Sequence, residues 1–387
     1  MDDRSPAFIS GIYEHPERRI PHTSLAQLHA EVAVGALRDA GLALSDVDAY
    51  FCDSDAPGFG GFSVAEYLGL NLTHLDTTDT GGSAYLFHIN HAAQAIADGR
   101  VHVALISQAG TPRRNAAANL LLEVGTAPES SFEDVYGITY PALYALAARR
   151  HMYEFGTTSE QLAEVKVAAS QHAQHNPHAL LRVPVSVEEV LDSPLIADPL
   201  HRLDCCVVTD GGGAIVLTSA EVARTLSGPR VRVLGYAEAV QHGGNGRVDL
   251  TSTAGAVSGP RAFEAAGLTP GDIRYASIYD SYTITVIQTI EDLGFCGPGG
   301  GGAFVADGAL RAPFGRLPVN TDGGGLCNNH PGNRGGMPKI IEAVRQLRGQ
   351  AAAAVQVPDL DTALVHGTGG ALATRMGSAT LLLGRED

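Results

Sequence analysis

The amino-acid sequence predicts an α/β protein of two similar halves, and three observations carry that expectation. The chain has 387 residues, more than one hydrophobic core usually supports. Short apolar strands alternate along it with helical segments, the pattern of sheets covered by helices. The segment GALRDAGLALSDVDAY, from Gly35 to Tyr50, also returns from Gly259 as GPRAFEAAGLTPGDIRYASIYD. In both copies a helix ends at Ala-Gly-Leu, a short turn carries Asp46 or Asp272, and an apolar strand follows.

In chain order, the first copy closes a helix near Ala40 and opens a strand near Tyr50. Ser83 to Asp98 reads as a helix and Val101 to Gln108 (VHVALISQ) as a strand. Helices follow at Pro141 to Phe155, Ser159 to Ala173 and Ser186 to Asp192, then a strand at Ala214 to Thr218. Ser-Gly-Pro interrupts the pattern just before Arg230. The halves are therefore expected at residues 1–225 and 226–387, with residues 111–205, helical and rich in His and Tyr, inserted into the first. The second half reads as a strand at Val231 to Tyr236, helices at Thr283 to Leu293 and Arg334 to Leu347, and strands at Thr362 to His366 and Ala379 to Leu383.

The formal charge of −16 is spread along the chain without a Lys/Arg cluster, which argues against nucleic acid or an anionic membrane as partner. The five cysteines, Cys52, Cys205, Cys206, Cys296 and Cys327, form no CxxC pair or regular spacing. Neither a zinc site nor a disulfide framework is indicated, and a reducing cytoplasm is the expected home. The opening MDDRSPAFISGIYE lacks a signal-peptide pattern, and no run reaches the ~18 apolar residues of a membrane span.

Four stretches of the second half, in order, resemble the sterol-carrier-protein-type branch of the thiolase superfamily. They are IYDSYTITVIQTIEDLGFCGPG from Ile278, GRLPVNTDGGGLCNNHPGNRGG from Gly315, EAVRQLRG from Glu342 and LVHGTGG from Leu364. Arg149 to Thr218 resembles the loop region and last strand of that branch's first half. The resemblance implies the thiolase fold, a five-layered αβαβα sandwich of two duplicated halves, dimeric, with CoA entering from the loop side. The anionic CoA would then be met by local Arg, Lys and helix N-termini, against the net charge.

Thiolases hold a nucleophilic Cys in a tight strand-to-helix turn. The matching stretch, Asp76-Thr-Thr-Asp-Thr-Gly-Gly-Ser83, has no Cys. Asp79 falls at about the nucleophile's place, and the ordinary role for Asp79 and Ser83 is helix capping, with Ser83 as the N-cap. Gly81 and Gly82 let the backbone approach a ligand closely. His330, in Asn-Asn-His-Pro-Gly, matches the family histidine whose ring N–H stabilises the thioester enolate oxygen. His366 stands at the family's base position and is expected at a strand's C-terminal edge, beside the N–H groups of Thr368 and Gly369. Tyr279-Asp280-Ser281-Tyr282 replaces His-Asp-Cys-Phe or Asn-Glu-Ala-Phe, which puts Tyr279 at the enolate hole and Ser281 and Tyr282 beside the substrate. Cys205-Cys206 resembles a structural segment, Cys327 is close to His330 in sequence, and Gly297 to Gly302 reads as a surface turn rather than a phosphate loop.

Thiolytic cleavage begins with a nucleophile, so losing the Cys removes its first step. Retro-aldol cleavage of a β-hydroxyacyl-CoA needs only a base, an enolate hole and an acid, and Tyr279, His330 and His366 suffice. The resemblance is closest to the bacterial steroid side-chain-cleaving aldolases, thiolase-like proteins without the Cys that release propionyl-CoA beside a partner carrying an OB fold and a zinc ribbon. Those aldolases carry Tyr where this chain has His330. The implied protein is a carbon–carbon lyase releasing propionyl-CoA or acetyl-CoA, with no metal and no cofactor beyond the CoA of its substrate. It is expected as a homodimer, enlarged by an OB-fold partner to a heterotetramer. The alternatives are an acyltransferase using Ser83 and a non-catalytic acyl-CoA-binding scaffold.

Overall fold

Ser24 and Gly41 delimit the first helix of the computed structural model, which describes residues 6–115, 130–243, 247–332, 334–372 and 374–386. Strand β1 (Ala7–Glu14) precedes α1 (Leu25–Ala40). The Ser24 hydroxyl accepts the Gln27 N–H, and Gly41 ends the helix at φ 73°, a left-handed turn that suits glycine. Then come β2 (Ala49–Phe51), α2 (Gly61–Leu68), β3 (His74–Asp76), α3 (Ala84–Ala97) and β4 (Val103–Gly110). The chain leaves the sheet for α4 (Tyr140–Phe155), α5 (Ser159–Ala173) and a short hairpin, Leu195–Ala197 with Leu200–His201. It returns as β5 (Gly211–Ser219). The rest is β6 (Arg230–Gln241), α6 (Gly255–Ala266), β7 (Ala276–Ile278), α7 (Thr283–Asp292), α8 (Gly336–Leu347), β8 (Thr362–Ala371) and β9 (Thr374–Glu386).

The nine strands form one sheet in the order β3-β2-β4-β5-β1-β6-β9-β8-β7. Read outward from the central pair, the two runs repeat each other. β1 and β6 each pair antiparallel with the last strand of their run, β5 or β9, which pairs antiparallel with β4 or β8. β4 and β8 then pair in parallel with β2 and β7. β3 adds to β2 in parallel, and Val319 bridges Ala276 in the same sense. The seam is slight, Phe8 opposite Arg232 and Ile9 opposite Val231.

Three apolar cores separate five layers. Leu28, Val32 and Leu37 of α1 pack with Val64 and Leu68 of α2 on Tyr50, Leu105 and Val216. The opposite faces of those strands meet α3 and α8, through Leu86, Ile89, Ile340 and Val344, which also touch Val365, Leu381 and Leu383 of the second run. Beyond the second run, Phe263 of α6 and Ile284 and Ile287 of α7 cover Ile278, Leu364 and Leu382, and α4 and α5 join this core. The sandwich is α1/α2, the first run of the sheet, α3/α8, the second run, α6/α7, the five-layered arrangement that the resemblance implies.

One local expectation is corrected. Residues 297–302 are a surface turn only at their start, where Gly297 and Pro298 are exposed: Gly299 and Gly301 donate N–H to the Glu291 carboxylate of α7 at 2.7 and 2.8 Å, and Gly301 and Gly302 are buried. No described helix is long and apolar enough to cross a membrane.

Candidate active site

A cavity of about 250 Å³ opens where β3, β7 and β8 end. Tyr279 follows β7 directly, and its backbone N–H is held by the His366 carbonyl at 2.9 Å. Its hydroxyl lies 2.8 Å from His330 Nε2. His330 comes from the loop before α8, where its backbone N–H donates to Thr209 Oγ1 at 2.9 Å. Space for the pair comes from absent side chains: a Cβ on Gly335 would stand 2.8 Å from the Tyr279 ring and 2.9 Å from the His330 ring. Burial, reinforced by Tyr144 and Cys206, pushes the Tyr279 hydroxyl far above its ordinary pKa. Burial and then the Lys339 charge push His330 down to about 4, against a contact with its own backbone that raises it. Both rings are uncharged at neutral pH. In the tautomer that carries the imidazole proton on Nδ1, Nε2 offers its lone pair and accepts the tyrosine O–H.

Gly81 and Gly82 line the cavity. Gly81 has φ +62°, and a Cβ on Gly82 would fall 2.4 Å from Thr368 O and 2.5 Å from Tyr279 Cζ, so only glycine fits. Gly369 and Gly370 form the facing edge. Asp79 also lines the cavity, but as half of an ion pair. One oxygen accepts the Gly81 N–H at 2.9 Å, and the other meets Arg334 Nη2 at 2.8 Å and the Ser54 hydroxyl. Burial alone would raise its pKa; Ser54 and Arg334 outweigh that and lower it. The Arg334 guanidinium spreads its other nitrogens to Asp53 at 2.6 Å and Asp55 at 2.8 Å. Ser281 and Tyr282 line the opposite wall with Tyr140, Tyr144 and Cys206, Tyr144 stacking on Tyr282 at 4.2 Å.

Three expected residues lie elsewhere. His366 is completely buried on the far face of β8: its Nδ1 bonds Thr380 Oγ1 at 2.9 Å, and a Cβ on Gly255 of α6 would touch its ring at 3.1 Å. The cause is strand alternation. Gly367 and Gly369 face the Gly81–Ser83 turn, so His366 and Thr368 must face away. His366 is also pushed down to about 3 by burial. Ser83 stands at the N-cap position of α3 without capping it; its hydroxyl bonds the Thr80 carbonyl at 3.0 Å, fully buried. A 3₁₀ turn, Gly81–Ser83, precedes the helix and takes over its start. Cys327 is buried against Lys166 Nζ at 3.2 Å, and Cys206, in the cavity wall, is a thiol whose pKa burial raises strongly. Among the described residues no group of three or more His, Cys, Asp or Glu is placed to hold a metal ion.

Arg334, Tyr140, Tyr144 and Cys206 were not anticipated at the site. Asp53, Asp55, Asp79 and Arg334 come from distant segments, and no local motif announces their meeting.

A family described as thiolase C-terminal domain-like matches residues 237–385. An acetyl-CoA acetyltransferase of Methanothermobacter thermautotrophicus is 34% identical over 90% of this chain and 92% of its own. A 17-hydroxy-3-oxo-4-pregnene-20-carboxyl-CoA lyase of Mycobacterium tuberculosis is 36% identical over 84% of this chain and 86% of its own. The solved structure of an Ltp2-ChsH2(DUF35) aldolase superposes with a TM-score of 0.88 at 33% identity, covering 98% of both chains.

Proposed function

The chain belongs to the thiolase superfamily, in its sterol-carrier-protein-type branch, and from that membership we propose that it is a lyase performing retro-aldol cleavage of a β-hydroxyacyl-CoA. The carrying observation is the cavity itself. It presents a hydrogen-bonded tyrosine and histidine, with a glycine turn and an ion-paired carboxylate where a thiolase keeps its nucleophile.

The substrate hydroxyl gives its proton to the Tyr279 oxygen while the tyrosine proton crosses to His330 Nε2. The C–O bond becomes a carbonyl, the adjoining carbon–carbon bond breaks, and its electron pair enters the thioester enolate. Backbone N–H groups of Gly82 and of the Gly369–Gly370 edge take the enolate oxygen, the Gly81 N–H being held by Asp79. The proton then returns through Tyr279 to the enolate carbon, giving the shorter acyl-CoA. A histidine with a pKa near 4 is by itself a poor base. It accepts the proton only as the enolate charge develops beside it, where a dry cavity makes opposite charges attract strongly. No metal or redox cofactor is needed for this sequence. His366 has no part in it.

The acyl chain is of the steroid side-chain type, in line with the mycobacterial relative's name, with propionyl-CoA or acetyl-CoA released. The solved aldolase relative is named together with a DUF35 protein, which supports an OB-fold, zinc-ribbon partner here. Five unpaired cysteines fit a reducing cytoplasm. The test is mass-spectrometric detection of ketone or aldehyde plus shortened acyl-CoA from a panel of β-hydroxyacyl-CoAs, with and without such a partner. A stoichiometric acyl adduct on the intact protein, with acyl transfer and no cleavage, would replace this reading by the acyltransferase.

A further inference from the structure

Helix α8 buries Lys339 completely behind the cavity wall, where its ammonium meets Asp280 Oδ1 at 2.7 Å. No other acceptor completes its shell of three N–H donors among the described residues. Asp280 is the neighbour of Tyr279 and also accepts the backbone N–H groups of Gly325 at 2.8 Å and Leu326 at 3.2 Å. That turn leads directly to His330. Gly325 stands between the two groups: a Cβ there would be 3.0 Å from Asp280 Oδ1 and 3.3 Å from His330 Cδ2. A cation this poorly solvated is costly, and an apolar side chain would pack the same space without it.

We propose that Lys339 is a positioning residue of the reaction: through Asp280 it fixes the turn that carries His330, and its charge behind the imidazole keeps the shared proton on Tyr279 until substrate charge develops. This rests on the lyase reading above. The ionisable groups facing His330 are Tyr279 from the end of β7, Asp280 and Lys339 behind it, and Cys206 and Arg334 on the cavity wall. Those acting on Lys339 are Asp280, Asp322 and Glu14, which outweigh burial and keep it charged. Lys339 is in turn the second influence, after burial, that lowers His330. Removing the charge therefore makes His330 easier to protonate.

The test uses histidine-selective ¹⁵N NMR of the full chain, with His330 assigned by the signal lost in His330→Gln. In the double variant Lys339→Met/Asp280→Asn, which removes the buried pair together, the His330 titration moves up by on the order of one pH unit. The acidic limb of kcat moves up with it. Lys339→Arg keeps the parental titration. A folded double variant with an unmoved His330 titration overturns the proposal, as does a fall in kcat without movement of the acidic limb. Should the double variant lose its folded circular-dichroism spectrum, Lys339→Arg is compared with Lys339→Gln, and identical His330 titrations in those two overturn it. The titration requires no turnover, so a failure of the lyase reading is seen separately.

Discussion

Burial acts on Tyr279 and His330 in opposite directions, making the phenol harder to ionise and the imidazole harder to protonate. The neutral hydrogen bond is therefore the resting state, and the ion pair forms only with a charged partner in the cavity. Tyr279→Phe keeps the ring and removes the transferable proton, so kcat should fall by ~10²–10⁴ with KM nearly unchanged, the range of acid–base contributions. His366→Gln should leave kcat near the parental value and lower Tm, because its ring packs on the opposite face of β8. Steady-state kinetics on the two variants decides this, and a loss in His366→Gln equal to that of Tyr279→Phe would return the base role to His366. His330 must be uncharged to accept, so the rate should hold as pH falls through 6 and decline only as it nears about 4. A pH–rate profile with its acidic limb near 6.5 would contradict that. Tyr279 and His330 were legible because each sits in a recognisable motif. His366 sits in one too, but which face of a strand a residue takes depends on the neighbouring sheet, and the motif is silent on that. Arg334 was illegible because its three carboxylates lie hundreds of residues away in the chain.

Helix α3 is fastened through His91, whose Nδ1 lies 2.6 Å from Asp76 of β3 and whose Nε2 lies 3.5 Å from Glu238 of β6. Its hydrogen bonds to these two carboxylates raise it to about 9 against some loss by burial. A folded-state pKa above the unfolded value means that the stabilisation is complete below about 6.5 and is lost as pH rises through about 9. The parent Tm should thus fall over that window by more than the Tm of His91→Gln, measured by thermal denaturation at matched ionic strength. At the other end of α3, Gly82→Ala should push Tyr279 and Thr368 apart. We expect lower kcat together with lower Tm, whereas Tyr279→Phe affects the rate alone. The helices were largely readable: α5 occupies the expected Ser159–Ala173, and α4 differs from expectation by one residue at its start. Their limits follow local capping, as in the Thr158–Gln161 capping box. β6 proved longer than expected, reaching Gln241, because pairing with β9 extends it beyond its apolar core, whereas β4 keeps the expected length and is shifted by two residues. β1 went unnoticed because all but one of its residues are buried, so the strand shows no alternation.

Among the described residues, the nine-stranded sheet leaves its β3 margin open. β3 has no strand beyond it among the described residues, and Phe59 and Phe62 beside it are 88% and 74% exposed. A second copy pairing β3 with β3 would cover both, so light scattering at micromolar concentration should report twice the chain mass, and Phe59→Asp/Phe62→Asp should halve it. The duplication was legible across this whole-molecule scale because a helix end, turn and strand repeat locally. How the two runs meet was not, since two opposed residue pairs make the entire seam. The margins differ in a way that limits growth. At β7, Ala276 already exchanges backbone hydrogen bonds with Pro318 and Asn320, and the Asn320 carboxamide both accepts from and donates to Ile278 at 2.8 Å. That side chain plugs the margin like a stray piece of strand. With the β7 margin occupied in this way, strand addition about a two-fold axis at β3 would use the margin left open among the described residues, and an assembly built so would end at a pair instead of propagating into a fibre.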